Sequence, residues 1–423
     1  MRVLIIGSGG REHAMAWKIS QSKRAEKIFT TPGNGGTMLH GENVALDTEN
    51  HKEVKSFVLQ ERIDIIIVGP EGPLVKGFRD TFEADSELSH IPVIGPDKEG
   101  ARLEGSKDFA KSFMNKYNIP TADYKSFTAD EFSDAREYMK TMKSPYVLKA
   151  DGLAAGKGVL IIDEYKEACD QLRLMFDGKF GEAGNRVVIE EHLSGIELSV
   201  FVLTDGKDYK ILPEAKDYKR IGEGDTGLNT GGMGAISPVP FAGGDFLDKV
   251  ERQVVIPTME GLKNEKMDYR GFIFIGLMNC DGEPRVIEYN VRMGDPEAEV
   301  VIPRIKSDFL DLMEGVGNGT LAEKELIIDT NTVATVMLVS GGYPEEYEKG
   351  KIIKGTDQVE GSVLFHAGTS LVDGKLMTSG GRVIAVSSIA ANMELALESS
   401  YKNAEKINFD AKVYRRDIGF DLK

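Results

Sequence analysis

The stretch "KADGLAAGKGV", residues 149–159, sets two lysines and three glycines within a few positions, and its reading decides which kind of nucleotide fold to expect. A Walker loop has four residues between its first glycine and the Gly-Lys pair, then a Ser or Thr whose hydroxyl reaches Mg²⁺. Here three residues separate Gly152 from Gly156, and Gly158 stands in the hydroxyl position. The setting differs as well. One apolar run, "YVLKA", carries Lys149 at its end and another starts at Val159, which predicts a hairpin tip rather than the strand-to-helix turn of a Walker loop. Backbone N–H groups around Gly156, Lys157 and Gly158 would then cover phosphates as a glycine flap, with the Lys157 side chain optional.

Upstream, apolar runs, "RVLIIG" at 2–7, "KIFT" at 27–30, "IDIIIVGP" at 63–70 and "IPVIGP" at 91–96, alternate with helical spacing at 12–20 and 74–83. Strands that are apolar throughout and separated by helices are covered on both faces, as in a doubly wound parallel sheet. The segments "GSGGREHA", "TPGNGGT" and "GPEGPL" then fall at strand C-terminal ends, on the edge where such sheets bind ligands. One glycine turn alone is only a tight connection; three converging on one edge indicate binding. Free N–H groups and the helix dipole after Gly7 suit an anion. A nicotinamide dinucleotide is disfavoured, because Glu12 occupies the third-glycine position of G-x-G-x-x-G and "IFTTPGN" offers no carboxylate to a ribose hydroxyl. A smaller phosphorylated ligand fits better.

From 104 to 328 the strands lengthen ("YVLKA", "GVLIID", "VVIEEHL", "GIELSVFVL", "GFIFIGLM", "PRVIEYN"), and turns such as Asp205-Gly206 and Asp281-Gly282 predict antiparallel hairpins. Two layers of α+β structure are expected there. The segment 329–423 restarts with "TVATVMLVS", passes "GSVLFHAGT" and a Gly380-Gly381 turn, and closes on a helix at 391–406. It reads as a small separate α+β unit. The expected architecture is thus multidomain, α/β and α+β, divided at 1–103, 104–328 and 329–423.

The sharpest chemistry lies in "VIEYNVRMGDPE", 286–297. Alternation along a strand places Glu288, Asn290 and Arg292 on one face. A carboxylate and an amide oxygen two residues apart are hard ligands suited to Mg²⁺, which completes its shell with water and phosphates. Arg292 beside them would neutralise a transferring phosphoryl group. A solvated polar strand face would look the same over three residues. The segment "PEAKDYKRIGEGDTGLNTGGMGA", 213–235, mixes basic residues, carboxylates and glycines with little periodicity, as a functional or disordered loop does. Its Gly-Gly-Met-Gly run favours an anion cradle. In "VVIEEHLSGIELSV", 187–200, backbone groups after a strand could read an adenine edge while Glu197 accepts from ribose hydroxyls, although adjacent acids are more often plain surface. Lys149 at a strand end and Lys107 at a helix start are candidate phosphate ligands and equally ordinary surface lysines. The six histidines form no H-x-x-x-H pair, and no nucleophile elbow is present, so covalent catalysis by the protein is not indicated.

Composition excludes other classes. Over 423 residues, 52 basic against 68 acidic side chains give a net charge of −16, which opposes binding to a nucleic-acid backbone. Cys169 and Cys280 are too few for a disulfide framework or a thiolate zinc site and suit a reducing cytosol. No segment approaches the ~20 apolar residues of a membrane span, and the start at Met1 has no signal-peptide layout. A soluble cytoplasmic protein is expected.

In order, "RVLIIGSGGREHA", "PGNGGT", "GPEGPL", "KADGLAAGKGV", "DYKRIGEGDTGLNTGGMGA" and "EYNVRMGDPE" resemble the motifs of the ATP-grasp superfamily, and within it those of the glycinamide ribonucleotide synthetases, the phosphoribosylamine–glycine ligases. The resemblance runs from the first strand to about residue 305, and the C-terminal unit is similar to the small closing domain of that family. It implies an ATP site between two α+β subdomains under a lid subdomain at about 120–188. Lys107 and Lys149 would bind phosphates, Glu190, Glu191 and Leu193 would line the adenine pocket, Glu197 would hold the ribose, and Glu288 and Asn290 would bind Mg²⁺ or Mn²⁺. By the same resemblance Gly9, Gly10, Arg11, Glu12, Asn34, Gly36, Thr37 and Glu71 belong to the phosphoribosylamine side. Asp217, Lys219, Arg292 and Asp295 would surround the glycine carboxylate and the acyl phosphate.

The implied reaction joins glycine to 5-phosphoribosylamine with ATP, through glycyl phosphate, in purine biosynthesis. Its partners are small molecules alone, and a monomer is expected. Another ATP-grasp ligase or a carboxylase is the alternative, though a dipeptide ligase has no sugar phosphate for the N-terminal loops to hold. One departure stands out. Many superfamily members carry another metal-binding carboxylate on the strand before the Glu-x-Asn pair, and "GFIFIGLMN", 271–279, has none. A second ion is therefore in doubt, or takes its other ligands from ATP and water.

Overall fold

The computed structural model describes residues 1–154 and 158–422. The N-terminal runs form a parallel sheet in the order Glu42–Asn43, Lys27–Pro32, Arg2–Gly7, Ile65–Val68, Val93–Ile94. Val3, Ile5, Ile65 and Ile67 feed one apolar cluster while Leu4, Ile6, Ile66 and Val68 feed another, so both faces are covered and the runs show no polar alternation. Chain order reverses beside Arg2–Gly7, and "GSGGREHA" and "GPEGPL" flank that switch point. The helix expected at 74–83 is broken. Gly77, at φ 82°, separates Glu71–Val75 from Phe78–Glu83, because a left-handed residue cannot continue a right-handed helix.

Next comes an antiparallel sheet of Tyr124–Thr128, Arg186–Glu190, Tyr146–Ala150 and Val159–Ile162. Phe127, Leu148, Val187 and Ile189 pack there against Ala135 and Met139 of helix Phe132–Lys140 and Ala168 and Leu172 of helix Tyr165–Leu174. Lys149 pairs with Val159 across the last two strands, so the opening stretch does connect a hairpin.

The largest sheet runs Glu283–Asn290, Gly271–Cys280, Ile196–Thr204, Tyr209–Asp217, Gly234–Ser237, Thr332–Ser340, Arg382–Ala390, Ser362–His366. Its hairpins turn where the Asp-Gly pairs stand; Asp281 and Gly282 both have positive φ, 53° and 87°, which matches the twist of the flanking strands. The sheet of the unit at 329–423 is continuous with the central one, because Gly234–Ser237 pairs with 333–336. One expectation is corrected here. The segment 213–235 is not a loop. Its first part closes strand Tyr209–Asp217, its middle forms a ribbon of Arg220–Gly222 with Thr226–Asn229, and its end opens Gly234–Ser237. Gly224 and Asp225 turn the ribbon at φ 64° and 54°, and Arg415 holds it, donating to Asp225 Oδ1 at 2.5 Å and to the Arg220 carbonyl at 3.1 Å. Among the described residues no helix is long and apolar enough to cross a membrane.

Candidate active site

Strand Glu283–Asn290 shifts register against its neighbour between Gly276 and Leu277, which sets Ile287 in a bulge and Glu288 opposite Gly276. Bulges re-aim the end of a strand, and here the Ile287 carbonyl accepts from Lys149 Nζ at 3.1 Å. Glu288, Asn290 and Arg292 share one face, as alternation predicts: Arg292 Nη2 donates to Asn290 Oδ1 at 3.0 Å. Burial pushes the Glu288 carboxyl up, but Lys219, Lys149, Lys107 and Arg292 outweigh it and hold it below the ordinary carboxylate range. Arg292 is also gripped from the N-terminal side. Its Nη2 donates to Glu104 at 2.9 Å and its Nε to Glu71 at 3.2 Å, while Glu104 accepts the Val291 N–H at 2.7 Å. Glu104 is absent from the sequence expectations.

On the expected ATP side, Glu190 is deeply buried rather than open to a ligand. Its Oε2 lies 2.9 Å from Lys149 Nζ and 3.2 Å from Lys111 Nζ, and its Oε1 has no hydrogen-bond partner among the described residues. Lys111 is a second omission. Burial pulls its pKa down to about 8 although Glu190 opposes the fall. Its one signal is position, since it lies on the buried face of helix Lys107–Lys116 with Ala110, Phe113 and Met114. Lys107 Nζ donates to the Gly152 carbonyl at 3.1 Å, tying the helix start to the base of the hairpin tip. Gly158 accepts the Ala150 N–H at 2.8 Å, whereas Gly156 and Lys157 lie outside the described residues. Glu191 accepts from Arg285 at 2.8 Å and from the Asp123 N–H at 3.2 Å, and Leu193 is half-buried in the connection that follows.

Glu197 accepts from Lys219 at 2.8 Å. Burial works against the Lys219 ammonium, but Glu197, Asp217 and Glu288 around it raise its pKa well above the ordinary value. Burial pushes Asp217 up, with Glu197 adding to it and Lys219 opposing, and burial together with Asp217 pushes Glu297 to about 8. Glu297 stands in the quoted motif without an assigned role.

On the expected phosphoribosylamine side, helix Gly10–Ile19 begins with Glu12 folded back. It accepts from the Gly9 N–H at 2.5 Å and from Arg11 Nε at 2.6 Å, and the Arg11 N–H donates to Asp295 Oδ2 at 3.2 Å. Two N–H groups expected to face an anion therefore already serve carboxylates. Gly69 packs so closely on Glu12 that a Cβ there would overlap it. Asn34 Oδ1 accepts from the N–H groups of Gly36 and Thr37 at 2.8 and 3.0 Å. Its Nδ2 donates to the Ser8, Gly9 and His366 carbonyls at 2.9, 3.2 and 2.7 Å, joining two N-terminal loops to the C-terminal unit. A cleft of about 360 Å³ results, lined by Gly9, Asn34, Asp295, Gly368 and Arg382 among others. Arg382, 3.0 Å from Asp295 Oδ1, comes from the unit that carries none of the expected site residues; the Gly380-Gly381 turn before it was its only mark.

Models of the phosphoribosylglycinamide synthetase N domain, ATP-grasp (A) domain and C domain match residues 1–104, 105–298 and 333–421. The phosphoribosylamine–glycine ligases of Caldanaerobacter subterraneus and Vibrio parahaemolyticus are each 43% identical to the chain, covering 99% of it and 99% and 98% of themselves. The crystal structure of phosphoribosylamine–glycine ligase from Thermotoga maritima matches with a TM-score of 0.86 at 38% identity, over 99% of this chain and 100% of that one. A biotin carboxylase from Campylobacter jejuni, at 12% identity over 99% of this chain and 94% of its own, shares the fold with a TM-score of 0.73. With three consecutive domains matched and relatives covered nearly end to end, the chain belongs to the phosphoribosylglycinamide synthetase family of ATP-grasp enzymes.

Proposed function

We infer that the protein is an ATP-dependent carbon–nitrogen ligase that joins glycine to 5-phosphoribosylamine, giving glycinamide ribonucleotide, ADP and phosphate in de novo purine biosynthesis. The observation that carries this is two-way coverage of 99% at 43% identity to a phosphoribosylamine–glycine ligase. In this reading residues 1–103 hold the sugar phosphate, 104–328 hold ATP under a lid at about 120–188, and 329–423 closes the amine side.

Lys107 and Lys149, whose charges both act on Glu288, bind the ATP phosphates. Backbone groups from Glu190, Glu191 and Leu193 flank the adenine, and Glu197, paired with Lys219 through one oxygen, offers the other to the ribose. Glu288 and Asn290 fit Mg²⁺ or Mn²⁺. Both supply oxygen and Glu288 is ionised, but among the described residues no group of three His, Cys, Asp or Glu side chains could hold an ion, so phosphates and water must complete the shell. When bound, such an ion neutralises phosphate charge.

Glycine's carboxylate attacks the γ-phosphorus in line, giving glycyl phosphate and ADP, and Lys219 and Arg292 offset the charge that would otherwise keep two anions apart. The amine of phosphoribosylamine then displaces phosphate from the acyl carbon. Glycyl phosphate and phosphoribosylamine both hydrolyse in open water, so closure over the site precedes chemistry. Phosphate release from ATP that requires both glycine and phosphoribosylamine tests the reading. Release with bicarbonate instead, or with a second amino acid in place of phosphoribosylamine, would assign a carboxylase or a dipeptide ligase.

A further inference from the structure

Segment 415–421 takes no part in the reaction as described, yet it grips the chain on both sides of Lys219. Before Lys219, the Tyr218 hydroxyl donates to Asp421 Oδ1 at 2.8 Å, and Asp421 Oδ2 lies 3.2 Å from Lys216 Nζ. The Lys216 ammonium also stands over the Tyr218 ring, 4.3 Å from its centroid, a cation–π contact that ties the two side chains together. After Lys219, Arg415 donates to the Arg220 carbonyl and to Asp225. Asp417 Oδ2 accepts the Gly224 N–H at 2.7 Å, and the Arg416 N–H donates to Glu223 at 3.3 Å. Lys216, Tyr218 and Arg415 are all buried, and Ile418 and Leu422 join the apolar cluster that holds Tyr218 and Ile236.

The opposite face of this stretch carries the candidate chemistry. Tyr218 keeps regular pairing with the neighbouring strand: its N–H donates to the Gly234 carbonyl at 3.0 Å and its carbonyl accepts the Met233 N–H at 2.7 Å. Side-chain alternation therefore runs on through it. Lys216 and Tyr218 face segment 415–421, whereas Asp217 and Lys219 face away, with Lys219 reaching Glu197. The Lys219 carbonyl is pinned as well, accepting from the N–H and the hydroxyl of Thr230 at 2.7 and 2.8 Å. A lysine is a point charge on a flexible stem, so the place of its backbone decides where the ammonium can act.

We propose that Asp421 is a positioning residue for glycine activation: through the Tyr218 hydroxyl and the Lys216 ammonium it fixes the strand end from which Lys219 meets the glycine carboxylate, while Arg415 holds the ribbon beyond. The proposal rests on the reading of Lys219 as a ligand of that carboxylate and of the acyl phosphate. Asp421 acts through the strand and touches no substrate.

ADP release is measured with glycine varied at saturating ATP and phosphoribosylamine, then with phosphoribosylamine varied. Asp421→Ala should lower kcat/KM for glycine by about 10- to 100-fold, as for a displaced binding group. The KM for phosphoribosylamine should stay close to wild type, because neither Tyr218 nor Lys219 lines the cleft beside Arg382. Tyr218→Phe keeps the ring and loses only the hydroxyl, so its loss should be about 3- to 10-fold. Asp421→Asn still accepts from that hydroxyl and should recover most of the activity. In a Lys219→Met background Asp421→Ala should cost less than about twofold more, since the side chain through which it acts is gone. A similar loss with and without Lys219 would mean general loosening and overturn the proposal, as would an unchanged kcat/KM for glycine in Tyr218→Phe. If melting shows that Asp421→Ala does not fold, Tyr218→Phe in the two backgrounds decides alone. Lys219→Met with wild-type kcat/KM for glycine would instead remove the reading of Lys219 beneath the proposal.

Discussion

Arg292 Nη2 donates to Asn290 Oδ1 at 3.0 Å and to Glu104 at 2.9 Å, so one guanidinium joins a candidate metal ligand to a buried carboxylate from the N-terminal side. Lysine keeps the charge but cannot reproduce a planar fork. Arg292→Lys should therefore lower kcat by about 10²–10³ while the melting temperature moves little. ADP release at saturating substrates measures this, and activity near wild type would show that charge alone suffices.

Glu288 offers a different test, because its carboxyl is held ionised by Lys219, Lys149, Lys107 and Arg292 against burial. Glu288→Gln keeps shape and removes charge. Turnover should be abolished with circular dichroism and melting close to wild type. Near-normal turnover at saturating Mg²⁺ would take Glu288 out of metal binding.

Local rules carry the strands at 2–7, 27–30 and 63–70 and the hairpins at Asp205-Gly206 and Asp281-Gly282, since a few neighbouring residues decide each of them. The motif resemblance names Glu288, Asn290, Arg292 and Asp295. It does not name the side chains that hold them. Glu104, Lys111 and Arg382 meet partners brought close only by the tertiary fold, and a lysine bound for a buried ion pair has the same local pattern as one bound for solvent. Gly234–Ser237 is likewise too short to signal that it extends the central sheet to Thr332–Ser340. The bulge at Ile287, which puts a carbonyl on Lys149, depends on register between two strands and leaves no mark in either.

Glu190 lies between Lys149 and Lys111, and all three side chains are nearly inaccessible. Removing one member of a buried charge group strands the others and costs about 3–5 kcal/mol. Glu190→Ala should lose stability of that order in urea denaturation at pH 7, with Glu190→Gln losing less. A loss below about 1 kcal/mol, the usual worth of a surface pair, would mean that the lysines find water when the acid is gone.

Acid should weaken the junction of the N-terminal loops with the C-terminal unit. His13 Nδ1 accepts the His366 N–H at 2.7 Å, and both rings are buried. Burial, helped by His40, lowers His366 to about 4, and burial with His366 and His40 lowers His13 well below its ordinary value. A histidine whose folded pKa lies below its unfolded pKa binds fewer protons when folded. Its contribution is complete above about pH 6.5 and is lost as pH falls through the folded value. His366 alone accounts for about 3 kcal/mol between these limits. Urea stability of the wild type should fall more steeply from pH 7 to 4.5 than that of His366→Gln. Parallel slopes would show that the ring does not set the dependence.

Arg382 reaches the cleft from the C-terminal unit, 3.0 Å from Asp295 Oδ1 and donating to the Asp295 carbonyl at 2.6 Å. Arg382→Ala would leave Asp295 without its largest stabilising charge, and would remove the arginine that borders the two N-terminal loops. If that cleft holds phosphoribosylamine, the KM for this substrate should rise by roughly 10-fold or more, as for the loss of a buried charged contact. The KM for ATP should stay close to wild type, because the proposed phosphate ligands Lys107 and Lys149 do not line this cleft. Steady-state kinetics with each substrate varied in turn distinguishes the cases. Equal rises for ATP and phosphoribosylamine would indicate a general loosening, and an unchanged KM for phosphoribosylamine would move the amine site away from this arginine.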